Sequence, residues 1–184
     1  MTAAGTIKPA RIVIMGAGTG GMPCAYEMRE ALSKDHQITV VNERSTFQFV
    51  PSNPWIAVGW RKPDQISFEI EPYLKRKGID FIAQRVEQID AQNNTLKLAD
   101  GNSVDYDYLV ITTGPRLAFE EVEGSGPDGF TQSVCTLDHA VKSLSSFEQL
   151  VADPGPVVVG AMPFASCFGP AYEYAFILNT ELKR

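Results

Sequence analysis

Cysteine is scarce: the 184-residue chain has three, Cys24, Cys135 and Cys167, widely spaced and with no CxxC pair. That excludes a disulfide scaffold, gives no sign of a zinc site, and leaves reduced, buried or reactive thiols. No metal site is expected. Basic charge is in deficit, with 16 Lys+Arg against 22 Asp+Glu and a net charge of −6. Binding nucleic acid by phosphate neutralisation needs the opposite balance, so no nucleic-acid partner is expected. No stretch approaches the roughly 20 apolar residues of a membrane-spanning helix. The opening MTAAGTIKPA lacks the apolar run of a signal peptide. The chain as given is therefore expected to be soluble and made without secretion. Compositional bias is also missing: 44% hydrophobic and 21% charged residues match a globular protein and exclude bulk disorder. A chain of this length buries roughly 70% of its unfolded surface, which allows one domain or slightly more.

What is present is organised by strand and turn signals. Arg11 to Met15 (RIVIM) is a short, β-branched apolar run, the mark of a buried strand. It leads directly into Gly16-Ala17-Gly18-Thr19-Gly20-Gly21. Helix formers follow, with an apolar stripe through Met22, Ala25, Met28, Ala31 and Leu32. Gln37 to Val41 (QITVV) is a second strand, ending at Asn42 and Glu43. Strand, glycine turn, helix and strand within about thirty residues open a Rossmann-type fold.

Beyond this unit, Phe47 to Trp55, rich in proline and aromatics, reads as a loop. Glu71 to Lys77 reads as a short surface helix. Strands are expected over Asp80–Gln84, Val86–Asp90 and Thr95–Leu98, with Ala99 to Asn102 as a hairpin turn. Tyr106 to Thr112 (YDYLVIT) is another buried strand, broken by Thr113-Gly114-Pro115. Residues 117–130 are loop-like, His139–Leu150 is helical, and Val157–Val159 starts a new strand after Pro154-Gly155-Pro156. Strand, glycine and helix at the end of the chain faintly echo its beginning.

The spacing Gly16-x-Gly18-x-x-Gly21 carries the clearest chemistry. The first glycine makes the turn, the second lets a pyrophosphate approach the backbone, and the third allows close helix packing. The phosphate then sits on a helix N-terminus, where free N–H groups and the dipole favour an anion. Glu43, roughly twenty residues on at the end of a strand, is where an acid holds ribose hydroxyls. The competing reading is a glycine-rich turn without a ligand; strands, helix and acid together favour a dinucleotide. Tyr108 to Pro115 adds an independent signal, a buried strand ending in small residues where backbone approaches a ligand. Alone it could be any strand terminus. The two signals together distinguish an FAD domain from a plain NAD domain.

These motifs resemble the N-terminal part of the flavin-dependent disulfide oxidoreductase-like superfamily. Within it they resemble the sulfide:quinone oxidoreductases of the bacterial type. The resemblance rests on Gly16 to Pro23, Phe49 to Trp55, Tyr106 to Pro115 and Val134-Cys135-Thr136. It rests above all on Ala165-Ser166-Cys167-Phe168-Gly169-Pro170-Ala171-Tyr172-Glu173-Tyr174, and it covers nearly all of residues 10–184. The fold implied is α/β: a tail over 1–10, then a Rossmann-like FAD-binding domain over 11–153, with parallel sheet, helices and a small β-meander. Residues 154–184 would open a second Rossmann-like domain with its first β-α unit. FAD is the implied cofactor, with Gly16, Ala17, Gly18, Thr19, Gly20, Gly21, Asn42, Glu43, Val50, Pro51, Asn53, Val86, Thr113 and Gly114 at its site.

A second dinucleotide motif is expected after Val157-Val158-Val159-Gly160, but Met162 and Ala165 stand where glycines belong. A methionine where pyrophosphate must touch backbone argues against NAD binding there. The resemblance implies instead that Cys167 belongs to a redox-active cysteine pair beside the flavin, where sulfide attacks, a persulfide or polysulfide grows and two electrons pass to FAD. A thiolate near a helix N-terminus is favoured by its dipole; the competing reading is a small buried hydrophobe. Cys135 resembles an additional family cysteine near the flavin, attached to it in some members. Glu173 would handle protons near the thiol if burial raises its pKa, against a plain surface glutamate. His139 would shuttle protons near neutral pH, against a structural hydrogen-bonding role. Cys24 is read as packing, and His36 is assigned nothing.

The implied activity is sulfide oxidation through FAD to a membrane quinone. The alternatives are the flavin subunit of a flavocytochrome c–sulfide dehydrogenase and an inactive FAD-binding fragment. The implied partners are sulfide, a quinone, a membrane surface reached through further chain, and an open choice of homo-oligomer. The implied location of the parent is peripheral on the bacterial inner membrane. Val157–Val159 and Phe176-Ile177-Leu178 are expected to need further chain or a partner to cover them.

Overall fold

The computed structural model describes residues 8–165 and 167–184. Residues 1–7 of the expected tail, and Ser166 of the cysteine motif, lie outside the described residues. The described residues divide into two compact units, residues 8–47 with 68–116, and residues 48–67 with 117–165 and 167–184. In chain order the elements are β1 (Arg11–Met15), α1 (Gly21–Ala31), β2 (Gln37–Asn42), β3 (Thr46–Gln48) and α2 (Asn53–Ile56). Then come β4 (Ser67–Glu69), α3 (Glu71–Arg76), β5 (Asp80–Ala83), β6 (Val86–Asp90), β7 (Thr95–Leu98), β8 (Ser103–Asp105) and β9 (Tyr108–Ile111). The last two are α4 (Leu137–Ala152) and α5 (Gly169–Glu181). β3 and β4 pair as a two-stranded ribbon.

In the first unit a parallel sheet runs in the order β5-β2-β1-β9. Ile12 stands between Ile38 and Tyr108, and Ile14 between Val40 and Val110. Successive side chains of a strand point to opposite faces. Ile12, Ile14, Ile38 and Val40 therefore enter one core with Met22 and Ala25 of α1 and Leu74 of α3. Val13 and Val41 enter another with Leu96, Leu98 and Tyr106. The antiparallel meander β6-β7-β8 carries Leu96 and Leu98, with Gly101 at φ 85 in the expected turn. Cover on both faces explains why RIVIM is continuously apolar rather than alternating.

Helix α1 ends where the Arg29 guanidinium donates to the carbonyls of Leu32, Ser33 and His36, a cation at the negative end of the dipole. His36, given no role from sequence, accepts the Ala10 N–H on Nδ1 at 3.1 Å. At the same end of β1, Arg11 forks onto Asp105 and Asp107. The carboxyl ends of β1, β2 and β9 open on one edge, where parallel α/β sheets hold their ligands.

In the second unit the stretch read as a loop is folded. A 3-10 turn over Val50–Ser52 runs into α2, because Pro51 and Pro54 fall in first-turn positions where a missing N–H costs nothing. Ile56, Ala57 and Ile66 pack with Leu137 and Ala140 of α4. Val58 packs with Ile177 and Leu178 of α5, flanked by Trp55, Trp60 and Phe147. These cores join residues 48–67 to α4 and α5 within the second unit.

Two further expectations are corrected. Val157–Val159 forms no strand, since no neighbouring strand offers a ladder, and Val158 is 96% exposed. Ile177 and Leu178 need no further chain to cover them, because both are buried against Val58 and its tryptophans. Phe176 remains exposed as expected. Helix α4 begins earlier than expected, at Leu137, because the Thr136 hydroxyl accepts the His139 N–H at 3.2 Å as its N-cap.

Candidate functional site

The first unit builds a cradle at the end of β1, and its three motif glycines differ in what surrounds them. Gly16 has φ 108, and a Cβ there would lie 2.5 Å from the Thr112 carbonyl oxygen. A Cβ on Gly21 would lie 1.8 Å from the Gly16 carbonyl oxygen, so helix α1 sits directly on the turn. A Cβ on Gly18 would meet nothing within 4 Å. Gly16 and Gly21 are thus required by the protein's own packing. Gly18, Thr19 and Gly20 are exposed, and the space beside Gly18 is open. No side chain caps α1 and no acidic residue lies in its first turn, so the positive end of its dipole is left uncompensated.

Beside the turn is a cleft of about 190 Å³, lined by Gly16, Asn42, Glu43, Arg85, Val86 and Thr113 among others. Glu43 lies one residue beyond β2, exposed at the cleft. Gly114 has φ 77, a left-handed turn just after β9 that glycine adopts without strain. Asn42 and Ala17 are already engaged with each other, the Ala17 N–H donating to Asn42 Oδ1 at 3.0 Å. Sequence reasoning missed Gln84 and Arg85, which also line the cleft, and Thr112, against which the glycine turn closes. The only sequence sign of Thr112 was a hydroxyl ending the apolar run YLVI.

The second unit holds the other expected residues. Val50 and Pro51 are exposed in the 3-10 turn. Asn53 is 0% exposed, and neither Nδ2 nor Oδ1 has a hydrogen-bond partner. A buried carboxamide with both ends unpaired is costly, so it marks a place where a polar partner belongs. Cys135 is an exposed free thiol just before the α4 N-cap, its N–H donating to Ser133 Oγ at 3.1 Å. His139, in the first turn of α4, packs against Phe119 with ring centroids 5.6 Å apart, and its Nδ1 is buried without a partner.

Cys167 is an exposed free thiol two residues ahead of α5, so its reading as a buried hydrophobe fails. Its Sγ would lie 3.9 Å from a Cβ on Gly169. Glu173 is exposed on α5. The burial expected of it is absent, because its helix turns that side to solvent. Tyr174 beside it is half-buried, and desolvation pushes its phenol above the usual tyrosine range. Cys24 packs against the α1 face of the sheet core. Among the described residues no group of His, Cys, Asp or Glu is placed to hold a metal ion, and no helix is long and apolar enough to cross a membrane.

Cradle, open glycine, uncapped helix and a cleft holding Glu43 and Arg85 fit the adenosine and pyrophosphate of FAD. The sequence profile of the pyridine nucleotide-disulphide oxidoreductase family matches residues 10–168. The chain is similar to a sulfide-quinone reductase of Aquifex aeolicus, 43% identical over 94% of this chain and 39% of the relative. It is also similar to a mitochondrial sulfide:quinone oxidoreductase of Dictyostelium discoideum, 26% identical over 95% of this chain and 39% of the relative. The crystal structure of the Aquifex aeolicus sulfide:quinone oxidoreductase superposes with a TM-score of 0.87 at 43% identity, covering 94% of this chain and 39% of that one. The chain thus spans about two-fifths of the length of the curated relatives it matches. It belongs to the pyridine nucleotide-disulphide oxidoreductase family, with a Rossmann-like fold and FAD as its cofactor.

Proposed function

We propose that the protein of which this chain is the N-terminal part oxidises sulfide and passes the electrons through FAD to a quinone. The observation that carries the reading is Cys167: a free, exposed thiol just ahead of α5, in a segment where Met162 and Ala165 replace the glycines of an NAD turn. A thiolate there receives the helix dipole and is the competent nucleophile for sulfur. The likeness to a sulfide-quinone reductase supports the same chemistry.

Bound FAD supplies a two-electron acceptor. Gly18, Thr19, Gly20 and Gly21 would hold its pyrophosphate and Glu43 its ribose, with Val86, Thr113 and Gly114 beside them. Val50, Pro51 and Asn53 are proposed flavin contacts, and the unpaired Asn53 carboxamide supports that role. Cys167 carries the sulfur, its partner cysteine would come from further chain, and Cys135 is a proposed additional thiol near the flavin. His139 is the proposed proton carrier, supported by its unpartnered Nδ1; Glu173, exposed, exchanges protons with solvent. In the longer protein residues 11–153 would belong to the FAD domain and 154–184 would open a second domain. Its quinone site, its contact with the bacterial inner membrane and any homo-oligomer would be supplied by further chain. The test is the visible flavin band of the purified full-length protein: sulfide bleaches it, quinone restores it and NADH leaves it unchanged. Bleaching by NADH and not by sulfide overturns the proposal.

A further inference from the structure

Thr112 has no part in the roles above, yet the glycine turn is fastened to it. Its hydroxyl lies 3.0 Å from the Gly16 carbonyl and 3.1 Å from that of Met15. The Met15 carbonyl already accepts the Thr112 N–H at 2.8 Å. The single hydroxyl proton is therefore needed at Gly16. That carbonyl belongs to the same peptide unit as the Ala17 N–H, which donates to Asn42 Oδ1 at 3.0 Å. Asn42 is itself fixed, donating from Nδ2 to the Arg44 carbonyl at 2.7 Å. One peptide plane is gripped at both ends by side chains from the two strands that flank β1.

We propose that Thr112 and Asn42 are positioning residues that clamp the Gly16–Ala17 peptide, so that the turn offers pyrophosphate its N–H groups and keeps the Gly16 carbonyl away from it. The physical need is specific to this turn. Gly16 lacks a Cβ and has wide backbone freedom, and a rotation of the following peptide would swing a carbonyl toward a site built for an anion. Helix α1 packs directly over that carbonyl, which must therefore be satisfied from inside the turn. With the plane clamped before binding, the cofactor does not bear the cost of ordering it. Asn42 and Ala17 then brace the cradle rather than touch the ligand, which revises the direct cofactor contacts expected of both from the sequence.

The inference rests on FAD as the ligand, and the test separates the two. Full-length protein is stripped of flavin, FAD affinity is read by flavin fluorescence, and the melting temperature of the flavin-free form is read in parallel. Thr112→Val keeps the shape and removes the hydroxyl; it weakens FAD binding about tenfold, the scale of one hydrogen bond, with only a small drop in the flavin-free melting temperature from the unpaired Gly16 carbonyl. Thr112→Ser restores binding, and Asn42→Ala reproduces the loss. Thr112→Val binding FAD as tightly as wild type overturns the clamp alone. So does Thr112→Ser binding as weakly as Thr112→Val, or an affinity loss matched by loss of stability in both Thr112→Val and Asn42→Ala. Wild-type protein that takes up no FAD overturns the cofactor reading and the clamp with it.

Discussion

The two units contrast in how far each completes itself. The first covers its parallel sheet on both faces, and Ile14, Val40 and Leu96 reach 0% exposure. Its phosphate cradle stands ready, with its glycine turn fastened by flanking strands. The second buries Ile177 and Leu178 but leaves Val158, Phe164, Phe168, Tyr172 and Phe176 largely in water. All five lie around or after the thiol Cys167. Contiguous exposed apolar side chains mark surfaces meant for contact. The cofactor end is thus preformed by local packing, whereas the thiol end is held on helices whose outer faces remain open.

The sharpest way to break that contrast is at the glycines. Gly21→Ala places a Cβ 1.8 Å from the Gly16 carbonyl and is expected to abolish FAD binding and lower the melting temperature together. Gly18→Ala meets nothing in the protein, so it is expected to keep the melting temperature of the flavin-free form and still lose FAD by steric block. If Gly18→Ala binds FAD normally, the ligand does not approach where the cradle is open. Next in size is the core beneath the sheet: Leu96→Ala is expected to lose about 2–5 kcal/mol in denaturant unfolding. Hydrogen exchange sharpens the comparison, with β1 and β2 amides protected well beyond those of α5. Equal protection would contradict it.

A smaller effect is expected at the start of α4. Thr136→Ala removes the N-cap bond to His139 and is expected to lose about 1 kcal/mol, read by thermal unfolding. The smallest concerns acid. The Arg11 N–H, donating at 2.7 Å, together with its guanidinium, holds the Asp107 carboxyl below its ordinary value of 3.8. A depressed carboxylate contributes stability above that value, and the contribution is lost as pH falls through the lower folded-state value. Both partners are solvent-screened, so Asp107→Asn is expected to flatten the acid limb of stability only slightly.

The relation of sequence to structure follows the same divide. RIVIM, the glycine turn and QITVV were legible because local pattern and global packing agree there. Asn42 and Glu43 followed from their place at a strand end. Thr112 was not legible as a brace, because its partners Met15 and Gly16 are distant in sequence and its role exists only after β9 lies beside β1. The 3-10 turn and α2 were hidden because Pro51 and Pro54 are turn formers unless the chain happens to place them in a first helical turn. Val157–Val159 has the composition of a strand, but a ladder requires a neighbour. The burial expected at Glu173 depended on which side of α5 meets the protein, and that side carries Tyr174, Ile177 and Leu178.

Cys167 is the proposed point of entry for sulfide. Anaerobic sulfide titration of the full-length protein and its Cys167→Ser variant, followed at the visible flavin band, tests it most directly. The expected result is bleaching in the wild type and none in Cys167→Ser, with the same flavin content in both. Equal bleaching of the two proteins would contradict the assignment of Cys167.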